Sequence, residues 1–534
     1  MRTKCHIRLL AVVLVLIGFV GCFGVHGDEE REFFGGVVYL DENQNGTRDA
    51  GEKGIPGVCV SNGLQVVETD SEGRYTLPVR DQMVVFVVKP ADYQVPRDAD
   101  NVPRFYYVHK PEGSPEEIKE FMGLEPTGEM PEQVNFPLYK SRRKDEFRVL
   151  VFGDTQVFNH QDIDYLRDGV IKHAADIDAE FAISLGDNVH NDLSLYPRYL
   201  SVMGALGMPT YYLVGNHDIN FDSPDDENDT DTYWRYLGPD YYSFNVGKVH
   251  FVALNDVSWD GNNYQGELGS TQREWLKNDL RFVPEDHLIV MGLHIPIFSW
   301  FDGPGRHSLA DREQLYEIME GRKAISLVGH IHTLEHFRTG QSAKGSGPIG
   351  FPQVLAGAAC GSWWSPPIGE DGVPMSYQRE GAPKGYMVFE FDGADYRARY
   401  RVPGRPADYQ MNISLSLAGV GGTVGSALEP EEVDDATVFV NFFAGDQDSE
   451  VKCRLDGDTV IELSRNTEAI DPYANRRASK DHRPVRSSHL WTGTLPDELN
   501  EGTHRLEVTA EDMYGQTHHG LKLFEVRTPA AVGE

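Results

Sequence analysis

Five short apolar runs, each ending in a polar cluster, constrain this chain more than any other feature. The runs are residues 147–152, 181–185, 210–214, 287–293 and 324–328. The clusters at their ends are Gly153-Asp154-Thr155-Gln156, Gly186-Asp187-Asn188, Gly215-Asn216-His217-Asp218, Gly292-Leu293-His294 and Gly329-His330-Ile331-His332. Runs this short and rich in Val, Ile and Leu read as strands buried on both faces. The polar residues then stand at C-terminal strand ends, the edge of an open α/β sheet where loops converge and ligands bind. All five clusters are read as one dinuclear metal site.

The segments between the runs support that reading. After the first cluster Ile163, Leu166, Val170, Ala174 and Ile177 recur at helical spacing, and the next strand follows directly, which makes a βαβ unit. A second helix, with Tyr196, Leu200 and Met203 on one face, leads to the strand that delivers Asn216 and His217. Right-handed crossovers keep consecutive strand ends on one edge.

Two ions held about 3.5–4 Å apart need a bridging anion and terminal ligands for each. Asp187 is the natural bridge. Asp154 and His332 are assigned to one ion, and Asn216, His294 and His330 to the other, with a hydroxide shared between the ions as the attacking group. His217 has no metal role and is the candidate general acid, protonating the leaving oxygen or holding phosphoryl oxygens. Its neighbour Asp218 is expected to hydrogen-bond the imidazole and fix its tautomer. His190 is placed to touch substrate or support a ligand, with helix capping by Asn191 or Asp192 as the alternative use of that turn. Trp363 and Trp364, in a Gly/Pro-rich loop, either line a pocket for a lipid, sugar or nucleoside group or form a packing lid. The acidic insertion 222–231 lies close enough to discourage polyanionic substrates. His160, His307 and His336 are read as ordinary polar residues.

In order and residue type these motifs resemble the calcineurin-like metallophosphoesterases, whose pattern is Asp-x-His, Gly-Asp, Gly-Asn-His-Asp, a lone His and Gly-His-x-His. The resemblance spans about residues 147–402. It implies an α/β sandwich of two mixed sheets flanked by helices, two divalent ions (Mn, Mg, Fe or Zn) and hydrolysis of a phosphoester. One position departs, since Gln156 stands where the family has His. An amide oxygen is neutral and harder than imidazole, which tilts the site toward Mg²⁺, Mn²⁺ or Fe over Zn²⁺. Two placements are open for Gln156: on the metal, or turned away with water in its place.

At 534 residues the chain exceeds what one hydrophobic core organises. The expected division is a signal peptide over 1–27, a β-sandwich over 33–92, a linker over 93–146 with a short helix near 115–122, the phosphoesterase over 147–403 and a second β-sandwich over 407–528. A net charge of −34 repels a nucleic-acid backbone but leaves a small phosphorylated substrate open as partner. Arg2, Lys4 and Arg8 precede the apolar run 9–20, a secretory pattern too short for the roughly 20 residues of a membrane span. Export to the periplasm, cell surface or medium follows. Cleavage after Gly27 competes with lipidation of Cys22 in Val20-Gly21-Cys22, which would tether the protein to a membrane; Phe19 replaces the usual Leu of that pattern. Cys59, Cys360 and Cys453 are too few and too far apart for a disulfide framework.

Near the N-terminus, short alternating runs separated by Gly, Asn and Asp turns flank Asp41, Asn43, Asn45, Gly46, Thr47, Asp49 and Glu52. Their positions match a twelve-residue calcium loop; a metal-free hairpin rich in turn residues is the alternative. This segment resembles the prealbumin-like B-repeats of bacterial surface proteins. From Ala407 onward the alternation returns, and residues 502–512 resemble the closing strands of immunoglobulin-like or fibronectin-like modules. The polar stretch 465–486 is expected to be a loop whose Arg476, Arg477 and Lys480 would meet an anionic group if it folds over the site. The function read from all this is an exported metal-dependent phosphoesterase, monoesters preferred. A phosphodiesterase on the same site and a surface binding protein with a weakened catalytic domain are the alternatives. The sequence leaves the oligomeric state open.

Overall fold

The structure, a computed structural model, describes residues 32–300, 307–342, 347–417, 426–476 and 483–528. The expected signal segment with Cys22, and Arg477 and Lys480 of the polar loop, lie outside these residues.

The apolar runs form two mixed sheets. In the first, the order is Thr210–Tyr212, Phe181–Ser184, Glu146–Phe152, Tyr386–Asp392 and Asp395–Arg401. Its first three strands are parallel, with Phe181 opposite Val149 and Ala182 opposite Thr210, so their C-terminal ends share one edge. In the second, the order is Tyr242–Val246, Val249–Ala253, Leu288–Gly292, Ala324–Val328, Gln353–Ala356 and Leu334–Phe337. Val249–Ala253, Leu288–Gly292, Ala324–Val328 and Gln353–Ala356 run parallel.

Strand alternation decides what each residue packs against. Val149 and Val151 face the second sheet, while Leu150 and Phe152 face the helices. Between the sheets Phe147, Phe181 and Phe391 meet Phe251 at ring separations of 6.3, 5.0 and 5.6 Å. On the outer face a helical stretch runs from His160 to Ala174, its middle turn widened to a π-helix over Arg167–Ile171. Asn159 caps it by accepting the N–H groups of Gln161 and Asp162. Ile163, Leu166, Val170 and Ala174 are buried, as their spacing demanded, and so are Tyr196, Leu200 and Met203 of the helix Tyr196–Gly204.

Two four-stranded sheets make the N-terminal module. Here the linker expectation fails. Phe136–Lys140 runs parallel beside Phe33–Leu40, with Val38 opposite Phe136, and Tyr106–His109 pairs with Met83–Val87. The stretch 93–146 therefore completes the sandwich, and residues 115–122 form turns, with no helix. Its abundant Pro, Gly and Glu masked strands of four or five residues whose inward positions, such as Phe136 and Leu138, are few. The module is fastened to the strand Tyr242–Val246 by buried Lys89, whose ammonium donates to the carbonyl of Asn245 as well as to those of Pro90 and Tyr93 in the module itself.

The C-terminal module pairs a four-stranded with a five-stranded sheet around its own core, which includes Val438, Val440, Trp491 and Leu506. It is joined to the strand Leu334–Phe337 and its continuation by an Arg338–Asp446 ion pair of 2.5 Å and a Gln341–Asp448 hydrogen bond of 2.9 Å. Among the described residues, no helix is long and apolar enough to cross a membrane.

Candidate metal centre

The strand ends bring the sequence clusters together. Asp154, Gln156, Asp187, Asn216, His294 and His332 are buried, and His330 is half-buried beside them. Asp154, Gln156, Asp187, His330 and His332 all adopt φ between 29° and 76°. Residues with a Cβ hold such angles only where their surroundings over-determine them, which is a feature of functional sites.

One donor set is tight. The Nε2 of His294 lies 3.3 Å from Asp187 Oδ1, 3.1 Å from Asn216 Oδ1 and 3.2 Å from His330 Nδ1. His294 spends its Nδ1–H on the carbonyl of Leu185 at 2.9 Å, so in the neutral ring Nε2 carries a lone pair. With no proton between them, these four atoms would repel one another unless a cation sat among them. Separations near 3 Å are also what donors sharing one ion at about 2.0–2.1 Å would show. The field has the same sign: burial lowers the His294 pKa, but Asp187, Asp154 and Asp256 outweigh it and raise the imidazole to about 10. A positive charge belongs at this spot.

The second set is looser. His332 Nε2 lies 3.6 Å from Asp154 Oδ1, and its Nδ1–H is held by the carbonyl of Gly361 at 2.5 Å. Burial, opposed by that hydrogen bond, leaves His332 lowered to about 3 and therefore neutral, the form that ligates. Gln156 donates from Nε2 to Asp187 Oδ2 at 3.0 Å, while its Oε1 is buried with no hydrogen-bond partner. Rotation of the amide by a half-turn exchanges the two atoms, so an orphaned hard oxygen is available on the Asp187 side. Asp187 thus turns Oδ1 to the His294 set and Oδ2 to Gln156, the disposition of a bridge. The residues present fit two cations.

Glycine clears the space. A Cβ on Gly215 would fall 2.3 Å from Asp187 Oδ1, and one on Gly329 would fall 2.6 Å from Asp154 Oδ2. The carboxylates occupy the room those side chains would take.

His217 stands at the rim. Its backbone N–H donates to Asp187 Oδ1 at 2.9 Å, and its ring lies 4.1 Å from that of His190, which stacks in turn on Phe158 at 3.8 Å. The expected role of Asp218 is corrected here. Asp218 is fully buried, and its oxygens accept the N–H groups of Asn188, Val189 and Gly215 and the hydroxyl of Tyr196. It pins the second and third clusters together. The imidazole of His217 is instead met at Nδ1 by the side-chain oxygen of Asn191. Adjacency in sequence misled, because the turn at Asp218 sends its carboxylate back under the strand ends.

The two tryptophans divide their tasks. The Trp363 ring lies 4.7 Å from His332 at 33°, walling the site, whereas Trp364 is buried and donates from Nε1 to the carbonyl of Thr155 at 3.2 Å. Asp192 caps the single turn Leu193–Leu195 through the Ser194 N–H. In the N-terminal loop the oxygens of Asp41 accept the N–H groups of Asn45 and Gly46, the amides of Asn43 and Asn45 point at Asp49, and Glu52 accepts from Glu42 and Asp49.

Sequence reasoning missed several residues. His307, taken as ordinary, presents Nδ1 to His330 Nε2 at 3.0 Å. Asp256 accepts the N–H groups of His294 and Ile295. It follows the apolar strand Val249–Ala253, so the rule that identified the other clusters also points to it. Arg379 and Gly361, which touch the Gly-His-x-His turn, had no local signal.

Comparison with known proteins identifies the family of the chain. Family models described as Calcineurin-like phosphoesterase, N terminal of Calcineurin-like phosphoesterase and C terminal of Calcineurin-like phosphoesterase match residues 147–334, 42–125 and 354–518. Tartrate-resistant acid phosphatase type 5 of Rattus norvegicus is 30% identical over 246 residues, 41% of this chain and 69% of that protein. Purple acid phosphatase 13 of Arabidopsis thaliana is 25% identical over 200 residues, 34% of this chain and 35% of that protein. A solved purple acid phosphatase from yellow lupin (Lupinus luteus) seeds aligns with 69% of this chain and 88% of its own at a TM-score of 0.37 and 11% identity. Neither the prealbumin-like nor the immunoglobulin-like resemblance of the flanks is among these matches, which instead describe the flanks as the family's own N- and C-terminal parts. The chain belongs to the calcineurin-like phosphoesterase family, related to the purple acid phosphatases, and is a phosphoester hydrolase of the kind that works with a dinuclear metal centre.

Proposed function

We propose that this protein hydrolyses monoesters of small phosphorylated molecules in preference to diesters, and that it acts outside the cytoplasm. The convergence of Asp154, Asp187, Asn216, His294, His330 and His332 in one buried cluster with His217 at its rim carries the hydrolytic part. The monoester preference is supported by the phosphatase names of the relatives. Export is supported by the basic start and apolar run of residues 2–20, and a membrane tether through Cys22 is its variant.

Asp187 would bridge the ions, Asp154, His332 and Gln156 would complete one side, and Asn216, His294 and His330 the other. Bound there, two ions would supply Lewis acidity toward phosphoryl oxygens and activate water. His217, with Nδ1 engaged by Asn191 Oδ1, would present Nε2 for proton transfer to the leaving oxygen. His190 would hold that ring by stacking, and Trp363 would wall the pocket beside His332. The unsatisfied amide oxygen of Gln156 favours Mn²⁺, Mg²⁺ or Fe over Zn²⁺. A calcium ion would brace the loop of Asp41, Asn43, Asn45, Thr47, Asp49 and Glu52 without a part in the reaction.

Turnover of p-nitrophenyl phosphate against bis(p-nitrophenyl) phosphate, with Mn²⁺ or Mg²⁺ added, tests the proposal. Monoester turnover should exceed diester turnover, Asp187→Asn should abolish it, and His217→Ala should lower it about 10²–10⁴-fold. A faster diester reaction would reassign the protein as a phosphodiesterase. No turnover of either ester, with variants indistinguishable from the wild type, would make it a binding protein.

A further inference from the structure

His332 presents its ring from a backbone that needs support. Its φ is 53°, and that of His330, two residues earlier, is 76°. Contacts on opposite sides over-determine this turn. The carbonyl of Gly361 and the Trp363 ring fix the imidazole. On the backbone side Arg379 closes the turn: its N–H donates to the carbonyl of His332 at 3.0 Å, and its Nη1 donates to that of Ile331 at 3.3 Å.

Arg379 is itself held by the C-terminal module. It sits on a tight hairpin where Tyr377 pairs with Pro383 and Gly381 takes φ 105°. From the C-terminal side the N–H of Val485 donates to the carbonyl of Arg379 at 3.0 Å. Asn441 Nδ2 donates to the carbonyl of Glu380 at 3.2 Å and to Asp471 Oδ2 at 2.7 Å. A Cβ on Gly381 would fall 2.7 Å from the Asp471 side chain, so the hairpin lies flat against that residue. His489 Nε2 faces Glu380 Oε1 at 3.7 Å. Glu380, Asn441, Asp471 and His489 are all buried, so the seam is dry and its polar contacts are not exchanged with solvent at will.

We infer that Arg379 is a positioning residue for His332, and that through it the C-terminal module is a working part of the metal centre. The module grips the hairpin, the hairpin grips the carbonyls of Ile331 and His332, and the turn so held aims His332 Nε2 at Asp154. The inference rests on the dinuclear reading and adds that only one of the two ions depends on the seam directly. Partners that orient a ligand in this way are worth about 10- to 100-fold in metal affinity.

The test is titration of the chelator-stripped full chain with Mn²⁺, read as affinity and stoichiometry rather than activity. The wild type should take up two ions. Arg379→Ala should weaken one of them about 10- to 100-fold and leave the other in place; Arg379→Lys, which keeps a cationic donor, should recover part of the loss. Asn441→Ala, on the far side of the seam, should weaken the same ion. Circular dichroism checks that each variant is folded, and if Arg379→Ala is not, the Lys and Asn441 variants decide. Two ions bound as in the wild type, or both weakened alike, overturns the inference and leaves the dinuclear reading standing. A wild-type chain that takes up fewer than two ions overturns both.

Discussion

Asp256 accepts the backbone N–H groups of His294 at 3.0 Å and of Ile295 at 2.9 Å, and in doing so fixes where the His294 ring begins. The residue is fully buried, so these bonds have no water to replace them. Asp256→Asn keeps the shape but sets an amide against two N–H donors, and a buried donor left unmatched costs about 1–3 kcal/mol. The variant should melt several degrees lower and hold Mn²⁺ less tightly, measured by scanning calorimetry and by titration. Unchanged values in both would remove Asp256 from the supporting frame.

His217 and Asn191 form a second pair whose value can be measured. General acids contribute about 10²–10⁴-fold, so His217→Ala should lower kcat by that range with little change in metal content. Asn191 takes φ 64°, which makes glycine the replacement that removes the oxygen without adding backbone strain. Asn191→Gly should lower kcat about tenfold, the equivalent of one hydrogen bond of about 1–1.5 kcal/mol. Asp218→Asn, by contrast, should act on folding, since its oxygens hold the N–H groups of Asn188, Val189 and Gly215.

What could be read from the sequence follows from the range of the forces involved. The strands behind Asp154, Asp187, Asn216, His294 and His330 announced themselves because burial on both faces leaves a local apolar signature, and chain direction then places their ends together. The partner of His217 could not be read that way: Asn191 and Asp218 are both near it in sequence, and only the course of the backbone chooses between them. Arg379 was invisible for a related reason, as its contacts with Ile331 and His332 cross 48 and 47 residues of chain and leave no periodic trace. The strand Phe136–Lys140 was hidden by composition, since five residues need only two inward apolar side chains, Phe136 and Leu138, and Tyr106–His109 was hidden because its one fully buried residue is a histidine.

Two buried carboxyls, Glu335 and Glu380, contribute a pH dependence of stability. Both carboxyls are raised to about 8, Glu335 by burial and then by Glu380, and Glu380 by burial. Each is protonated in the fold at neutral pH and ionised in the unfolded chain above its ordinary pKa of about 4.3. Between those values the native state binds more protons at these two groups than the unfolded state, so their contribution to stability falls as pH rises from about 4.5 to 8. His336 and His489, lowered to about 4 by burial, pull the other way below about pH 6.5, so the readout is the difference between variants. The melting temperature of Glu380→Gln, which cannot ionise, should fall less, or rise more, across that window than that of the wild type. A variant with the wild-type slope would place the dependence elsewhere.

Gly215 offers the sharpest steric test of the bridge. Its φ is ordinary, so alanine meets no backbone objection; the obstacle is that a Cβ would stand 2.0 Å from the Asp187 nitrogen and 2.3 Å from Oδ1. Either the carboxylate or the strand end carrying Asn216 must move, and displacement of about 1 Å at a reacting centre costs roughly 10²-fold. Gly347→Ala is the matched control, because a Cβ there meets nothing within 4 Å. Gly215→Ala should lose at least 10²-fold in kcat/KM together with tight Mn²⁺ uptake, while Gly347→Ala keeps both. Retention of wild-type metal content in Gly215→Ala would mean that Asp187 need not stand where the bridge requires it.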